Sequence, residues 1–206
     1  MFDSSQLTKK ELGLLKKLST PAKIQDFLDT LPFNFEKNGE TYMSPRRTLE
    51  AGKAHCLEGA LVASLALWMH GQEPLILDLK AHTSDVDHVV ALYKINGYWG
   101  AISKTNHAVL RFRDPIYKTV RELATSYFHE YFLNKTGKKT LRGFSKPFNL
   151  KKLGFSWVTA EDELWNIPEV LDSLPHIPYF PKQNKKYIRP ADKIERKAGE
   201  IIEWKK

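Results

Sequence analysis

The sequence has a single cysteine, Cys56, among its 206 residues, and this scarcity narrows the possible chemistry. One thiol excludes an intrachain disulfide, and it excludes a cysteine-rich zinc site, which needs several thiolates. Long apolar runs are also missing. The longest, around residues 59–69, is shorter than the ~20 residues that a membrane-spanning helix needs. The first residues contain no apolar signal-peptide core. We therefore expect a cytoplasmic protein without a membrane span.

A dense block of basic residues is absent too, although the net charge is +8. The charge is uneven, because residues 133–206 contain 16 Lys/Arg and 9 Asp/Glu and so carry +7 of it. Such a basic third can bind nucleic acid or another anionic partner. Its interspersed acidic residues favour a solvated surface, so nucleic acid is the less favoured partner. No phosphate-binding loop or metal-ligand cluster is recognisable, and no cofactor or metal is predicted.

The composition is typical of a globular chain, with 42% hydrophobic, 12% aromatic and 27% charged residues. The length suits one domain or one domain with an appendage. We expect a core over residues 1–133 that includes N-terminal helices. Residues 134–206 are expected to form a basic C-terminal extension packed on that core. The oligomeric state is not set by any sequence feature.

Local patterns divide the chain into helices, strands and loops. Helices are predicted over 6–18, 20–31, 56–69, 116–133 and 191–204. A strand is predicted over 74–79, and loops over 32–54 (broken at Asn38-Gly39 and Ser44-Pro45) and 80–87. Residues 134–181 look less regular.

The strongest local signal is a β-hairpin over 88–95 and 98–103 with an Asn96-Gly97 turn. A two-residue loop pairs Ile95 with Tyr98, so that Val90 faces Ser103 and His88 faces Thr105. Cross-strand partners share one face of a sheet. A group that orients the His88 imidazole is therefore expected at Ser103 or Thr105 before Asn106.

Cys56 is the only possible thiol nucleophile, and the apolar helix 56–69 begins at it. The N-terminus of a helix carries partial positive charge and free N–H groups, which favour a thiolate and can hold an oxyanion. A thiolate nucleophile also needs a base, most often histidine. Among seven histidines His88 is the strongest candidate, because the strand 74–79 returns the chain to the helix. His55 adjoins Cys56, but sequence neighbours rarely face each other.

These residues resemble the transglutaminase-like superfamily of cysteine acyltransferases and peptidases, which has a papain-like fold, and suggest a bacterial-type member. The likeness covers roughly residues 50–106. It rests on Cys56, Ala60 four residues on, Gly71 closing the helix, the following strand, His88, and Trp99 before the family's acid position. It implies an α+β fold with a transglutaminase-like core. In that core the buried helix starting at Cys56 packs on an antiparallel sheet containing the 88–95/98–103 hairpin.

The sequence departs from the family at Ser103, where the family carries an aspartate. Serine can accept a hydrogen bond from imidazole, but it supplies no negative charge. Three interpretations stay open: a triad of Cys56, His88 and Ser103, an acid supplied by Asp87 or Asp114, or a retained fold without activity. For Asp114, pairing with Arg111 or Arg113 is the simpler expectation.

Two functions follow from this pattern. The first is cysteine-dependent acyl transfer or hydrolysis of a peptide, amide or ester, as in a protease, amidase or transglutaminase, with a Cys56 thioester and His88 as base. The second is a catalytically degenerate binding module that uses the groove or the basic, aromatic-containing tail.

Overall fold

The computed structural model describes residues 2–205, which form helices on both sides of one antiparallel sheet. The helices are α1 (Lys9–Lys17), α2 (Pro21–Thr30), α3 (Pro45–Ala51), α4 (Cys56–Met69), α5 (Val120–Thr125), α6 (Ser156–Thr159), α7 (Asn166–Ser173) and α8 (Lys193–Gly199). The strands are β1 (Leu75–Ala81), β2 (His88–Ile95), β3 (Tyr98–Ile102), β4 (Arg113–Tyr117), β5 (Leu141–Ser145), β6 (Phe148–Asn149) and β7 (His176–Pro178). The α+β class is confirmed.

The sheet has the order β4-β3-β2-β1-β5-β7, and β6 also pairs with β1. Strands β1 to β4 form a meander in chain order, because neighbours in the sheet are neighbours in sequence. Strand β5 then pairs with the free side of β1. The centre of the sheet is therefore β2 and β1, and β2 carries His88 at its first residue.

Helix α4 lies at the centre of the larger hydrophobic core. Its residues 57–68 are all buried, as its apolar Ala/Leu-rich sequence predicts. One side packs on β2, and α1, α2 and α3 surround the rest. The helix ends before Gly71, whose φ of 84° places it in the left-handed conformation that glycine tolerates best. No helix within residues 2–205 has the length and apolar character to cross a membrane.

The predicted hairpin is confirmed in register and in turn type. Ile95 pairs with Tyr98, and the ladder continues to Ala91 opposite Ile102. Asn96 and Gly97 both have positive φ, 49° and 86°, which a type I′ turn requires.

The predicted helix over 116–133 is wrong. Its beginning belongs to β4, which pairs with β3, and only α5 and a 3₁₀ turn at Phe128–Glu130 are helical. The two parts are separated at Thr119, whose hydroxyl accepts a hydrogen bond from Glu122 N–H as an N-cap. Helix-like spacing of apolar residues misled the prediction, because Ile116 is exposed and does not belong to the buried stripe.

The predicted loop over 32–54 contains a helix that the sequence analysis missed. The sequence pattern predicts a break at Ser44 and Pro45, but these residues start α3. The Ser44 hydroxyl accepts a hydrogen bond from Arg47 N–H at 3.3 Å, and Pro45 occupies the first helical position. A serine cap followed by proline is a helix start as well as a break.

Residues after 134 contribute strands to the same sheet as the expected core. Strand β5 pairs with β1 on one side and β7 on the other. The C-terminal helix α8 is shorter than the predicted helix over 191–204, since it ends at Gly199. The division of the chain at residue 133 stays a prediction.

Candidate active site

Cys56 is the first residue of α4, and its position is set by a cap that His55 builds. In the neutral ring of His55, Leu57 N–H donates to Nδ1 at 3.2 Å, and the His55 backbone N–H donates to the Glu58 carboxylate at 2.9 Å. This exchange satisfies two of the N–H groups that a helix leaves without partners in its first turn. Cys56 is therefore fixed, half-buried, at the positive end of a helix.

Glu58 is fully buried and holds the surroundings of the cap in place. Its carboxylate accepts hydrogen bonds from the Asn34 amide and from the Thr41 hydroxyl at 2.9 Å. The His55 ring lies between these groups: its Nε2 is 2.7 Å from Thr41 O and 3.5 Å from Glu58 Oε1. Because a carbonyl only accepts, His55 Nε2 carries a proton.

His88 is oriented by the serine that occupies the position of the missing acid. His88 Nε2 lies 2.8 Å from Ser103 Oγ, and Ser103 Oγ lies 2.5 Å from Leu110 O. The Leu110 carbonyl can only accept, so the serine proton points to it. Ser103 Oγ must then accept from His88 Nε2–H. This arrangement leaves His88 Nδ1 unprotonated in the neutral ring, which is the state that a base needs.

Ser103 itself is held by Gln25 from helix α2. The Gln25 amide donates to Ser103 O at 2.9 Å and accepts from Ser103 N–H at 2.9 Å. Both residues are buried. The serine is thus fixed on its backbone by a second element, 78 positions away in sequence.

Cys56 and His88 line one cavity of about 190 Å³. Burial of the thiol would raise the pKa of Cys56, but hydrogen bonds with His55 and His88 and the charges of both rings hold it well below its ordinary value. Burial would likewise lower the pKa of His55. The hydrogen bond to Cys56, the charges of Cys56 and Glu58, and the Thr41 carbonyl raise it to about 9. The geometry therefore favours a thiolate beside a charged imidazole.

The structure brings all three predicted site residues, Cys56, His88 and Ser103, into one neighbourhood, and their catalytic roles stay a prediction. The alternative orienting group, Thr105, lines the cavity, but its hydroxyl accepts from His107 N–H at 3.1 Å. Of the two expected orienting groups, Ser103 is the one that bonds the imidazole.

Neither alternative acid has a hydrogen bond to His88 among the described residues. Asp87 accepts from Ala81 N–H at 2.7 Å and pairs with Lys80 at 2.6 Å. Asp114 is exposed on β4. Its expected arginine partners bind other acids: Arg113 pairs with Glu130 at 2.7 Å and Arg111 pairs with Glu203 at 3.0 Å.

Two residues of the site were not found from the sequence. Adjacency in sequence predicts that His55 does not face Cys56, which is wrong, because as the cap residue His55 turns its ring back to the first turn of α4. Its spacing of three to Glu58 is that of a capping box, which would have indicated this. Gln25 carries no comparable local signal.

A scan against protein-family models finds no match for this chain, and a search of curated proteins finds no significant relative. Within residues 2–205, no group of three or more His, Cys, Asp or Glu side chains is placed to hold a metal ion. The resemblance of residues 50–106 to transglutaminase-like proteins therefore stays a prediction from the sequence.

Proposed function

We propose that the chain is a cysteine hydrolase or acyltransferase of transglutaminase-like architecture that acts on an amide or ester through a Cys56 thioester. The observation that carries this proposal is the His88–Ser103–Leu110 chain of hydrogen bonds, which fixes the tautomer of an imidazole in the cavity that Cys56 lines. A cysteine buried only for packing needs no oriented imidazole beside it.

In the first step, the Cys56 sulfur attacks the substrate carbonyl carbon and forms a C–S bond. The proton lost by the Cys56 thiol is on His88 Nδ1 when this bond forms. Collapse of the tetrahedral intermediate breaks the bond to the leaving amine or alcohol, which takes that proton from His88. In the second step, water or an amine gives its proton to His88 and attacks the thioester, which releases the acyl product and regenerates Cys56.

The oxyanion of each intermediate requires donors at the first turn of α4. Gly59 N–H is occupied by His55 O at 2.9 Å, and Leu57 N–H is occupied by His55 Nδ1 only while that ring is neutral. The Cys56 N–H is the backbone donor adjacent to the reacting sulfur, and the partial positive charge of the helix end adds to it.

The charge that Ser103 cannot supply is present elsewhere in the site. In a triad the acid stabilises the imidazolium that forms next to it. Here the buried carboxylate is Glu58, and it lies beside His55 rather than His88. We assign His55 the role of holding positive charge next to the sulfur: once Nδ1 is protonated, it no longer accepts from Leu57 N–H and donates to the Cys56 sulfur instead. His88 has the role of moving the proton. Ser103 positions His88 without charging it.

The neutral Ser103 is also the observation that favours the second candidate, a binding module with a degenerate site. In that case the cavity would hold a peptide or another amide-containing ligand, and Cys56 would form no thioester with it. The two candidates differ in whether a thioester forms.

The test is acylation of the thiol by p-nitrophenyl acetate, followed by mass spectrometry of the Cys56 peptide. The proposal predicts that Cys56 is acetylated faster than glutathione at the same pH. His88→Gln is expected to slow this step by roughly 10²- to 10⁴-fold, the usual contribution of a general base. His82→Gln is the matched control, because His82 precedes the same strand and is not among the residues that line the cavity. Acetylation no faster than that of glutathione would contradict the enzyme proposal and favour the binding module.

A further inference from the structure

The residues that follow α8 lie beside the candidate site and are joined to it through backbone hydrogen bonds. We call residues 201–205 the terminal segment. Ala108 N–H donates to Ile201 O at 3.0 Å, and Glu203 N–H donates to Asn106 O at 2.9 Å. The terminal segment therefore adds a short antiparallel pairing to the stretch that follows Ser103.

The Asn106 side chain strengthens this pairing in a specific way. Its Oδ1 accepts from Trp204 N–H at 2.8 Å, and its Nδ2 donates to Trp204 O at 2.9 Å. One side-chain amide thus binds both polar backbone groups of one residue. Asn106 is only 6% exposed, so its amide is held in place. Every amino acid except proline offers the same two groups.

The side chains of the terminal segment contribute little to its attachment. Ile201 and Ile202 are 59% and 44% exposed, and Glu203 makes one partly exposed ion pair with Arg111 at 3.0 Å. Trp204 is half-buried, but its indole Nε1 is buried without a hydrogen-bond partner among the described residues, which is unfavourable. A segment held by backbone bonds with little apolar burial opens at low free-energy cost.

Asn106 and Thr105 line the same cavity as Cys56 and His88. Gly199, at the end of α8, lines it too, and its carbonyl is 3.1 Å from His107 Nδ1. An extended chain bound along residues 105–108 is therefore adjacent to the thiol. This placement is what a subsite for the substrate backbone requires.

We propose that residues 105–108 form a subsite for an extended polypeptide substrate, read through its backbone by the Asn106 amide, and that the terminal segment occupies this subsite as an internal ligand. The inference rests on the proposed function and names its substrate class as polypeptide. The terminal segment then competes with a polypeptide substrate for residues 105–108, so binding of such a substrate depends on its release. Residues 201–205 are not among those that line the cavity at Cys56, so a small ester can still reach the thiol.

The test uses a fluorescein-labelled peptide of residues 200–205 and the full-length chain carrying Cys56→Ala. Glu203→Lys removes the 3.0 Å ion pair with Arg111 and loosens the internal segment, while the peptide keeps its glutamate. Glu200→Lys makes the same charge change just outside the segment and is the matched control. We expect the peptide to bind the Glu203→Lys chain about fivefold more tightly than the Glu200→Lys chain. The competing internal segment loses one partly exposed ion pair in the first variant, and a pair of this kind changes an equilibrium constant by about that factor.

A second peptide carries an N-methyl group on the backbone nitrogen of its tryptophan. That nitrogen then cannot donate to Asn106 Oδ1. It should bind at least tenfold more weakly, since a buried acceptor loses its partner. Asn106→Leu should weaken binding of the unmodified peptide by a similar factor, because the same hydrogen bond is lost. Three results would each overturn the subsite. The first is equal affinity of the two peptides for one chain, and the second is equal affinity of the unmodified peptide for the two lysine variants. The third is no binding of the unmodified peptide to any of the variants.

The assay separates this inference from the proposed function, because the Cys56→Ala chain cannot form a thioester. Peptide binding combined with an unreactive wild-type thiol would remove the proposed function and leave a peptide-binding site. Rapid acylation without peptide binding would leave the enzyme and remove the subsite.

Discussion

At the scale of single residues, the proposed mechanism separates two tasks that a catalytic triad combines in one histidine. In it His88 accepts and returns a proton through Nδ1, because its Nε2–H is bound by the neutral Ser103 hydroxyl. In the same mechanism His55 carries charge, because Thr41 O and Glu58 lie at its Nε2 and the Cys56 sulfur accepts from its protonated Nδ1. A carboxylate beside His55 can stabilise the thiolate through an imidazolium even though position 103 holds no acid.

Replacement of Ser103 tests the positioning half of this division. Ser103→Ala removes the acceptor that fixes the tautomer of His88, and the loss of a buried hydrogen bond to an imidazole costs about 1.5–3 kcal/mol when the ring becomes charged. Acetylation of Cys56 by p-nitrophenyl acetate should therefore slow by roughly 10- to 100-fold. Ser103→Thr, which keeps the hydroxyl, should retain most of the rate. Equal rates for Ser103→Ala and wild type would show that the serine does not position the base.

At the scale of elements, helix α4 and the segment after β3 approach each other closely at Gly59. A Cβ built on Gly59 would lie 3.1 Å from Lys104 Cγ and closer still to Lys104 Cβ. Lys104 is fully buried, and its ammonium donates to Leu28 O at 2.9 Å at the end of α2. The side chain cannot move away without losing that cap, so the glycine allows α4, α2 and the Ser103 segment to meet.

The matched pair Gly59→Ala and Gly13→Ala tests this close approach. Gly13 lies in α1 with open space around it, so alanine there should raise the free energy of unfolding by about 1 kcal/mol through helix propensity. Gly59→Ala should instead lower it by about 1–2 kcal/mol, because overpacking outweighs the same propensity gain. Urea denaturation followed by circular dichroism measures both. Stabilisation by Gly59→Ala would contradict the described packing.

Sequence patterns predicted the elements whose signals are local. The apolar helix from Cys56 to Met69 and the Asn96-Gly97 hairpin were predicted with their bounds nearly right, since burial all round and a two-residue turn are each encoded within a few positions. The hairpin register in turn placed Ser103 on the side of His88, and the structure joins the two.

Features that depend on distant parts of the chain were missed. Gln25 meets Ser103 only because α2 packs near the end of β3, and nothing near Gln25 in sequence indicates this. The helix predicted over 116–133 failed because apolar spacing cannot distinguish an exposed Ile116 on a strand from a buried residue on a helix. Ser44-Pro45 carried two possible meanings, and the one that applies depends on the packing of α3 against α4.

At the scale of the whole molecule, the sheet joins early and late parts of the sequence. Strand β1 lies between β2 and β5, so residues on both sides of position 133 complete its hydrogen bonds. The Ser145 hydroxyl also accepts from Asp78 N–H at 3.1 Å. His176 on β7 bonds the buried Asp78 carboxylate at 2.7 Å. The late residues thus satisfy buried polar groups of β1.

Removal of residues 134–206 tests whether the expected core, residues 1–133, can fold independently. The shortened chain would expose one edge of β1 and leave the Asp78 carboxylate without His176, and both changes are unfavourable in a sheet centre. We expect residues 1–133 to lack a cooperative thermal transition and to aggregate, as measured by circular dichroism and size-exclusion chromatography. A soluble fragment that melts cooperatively would instead support a domain boundary at position 133.

The most direct test of the central claim, a thiolate at Cys56 maintained by two imidazoles, is the pH dependence of its alkylation by iodoacetamide. The thiolate is the reactive form, so a lowered pKa moves the rise in rate to lower pH. The account predicts a plateau already reached well below pH ~8.5, the ordinary pKa of a free thiol. It also predicts a shift of the rise toward higher pH in both His55→Gln and His88→Gln, but not in His82→Gln. A rate that rises only near pH ~8.5 in the wild-type chain would contradict it.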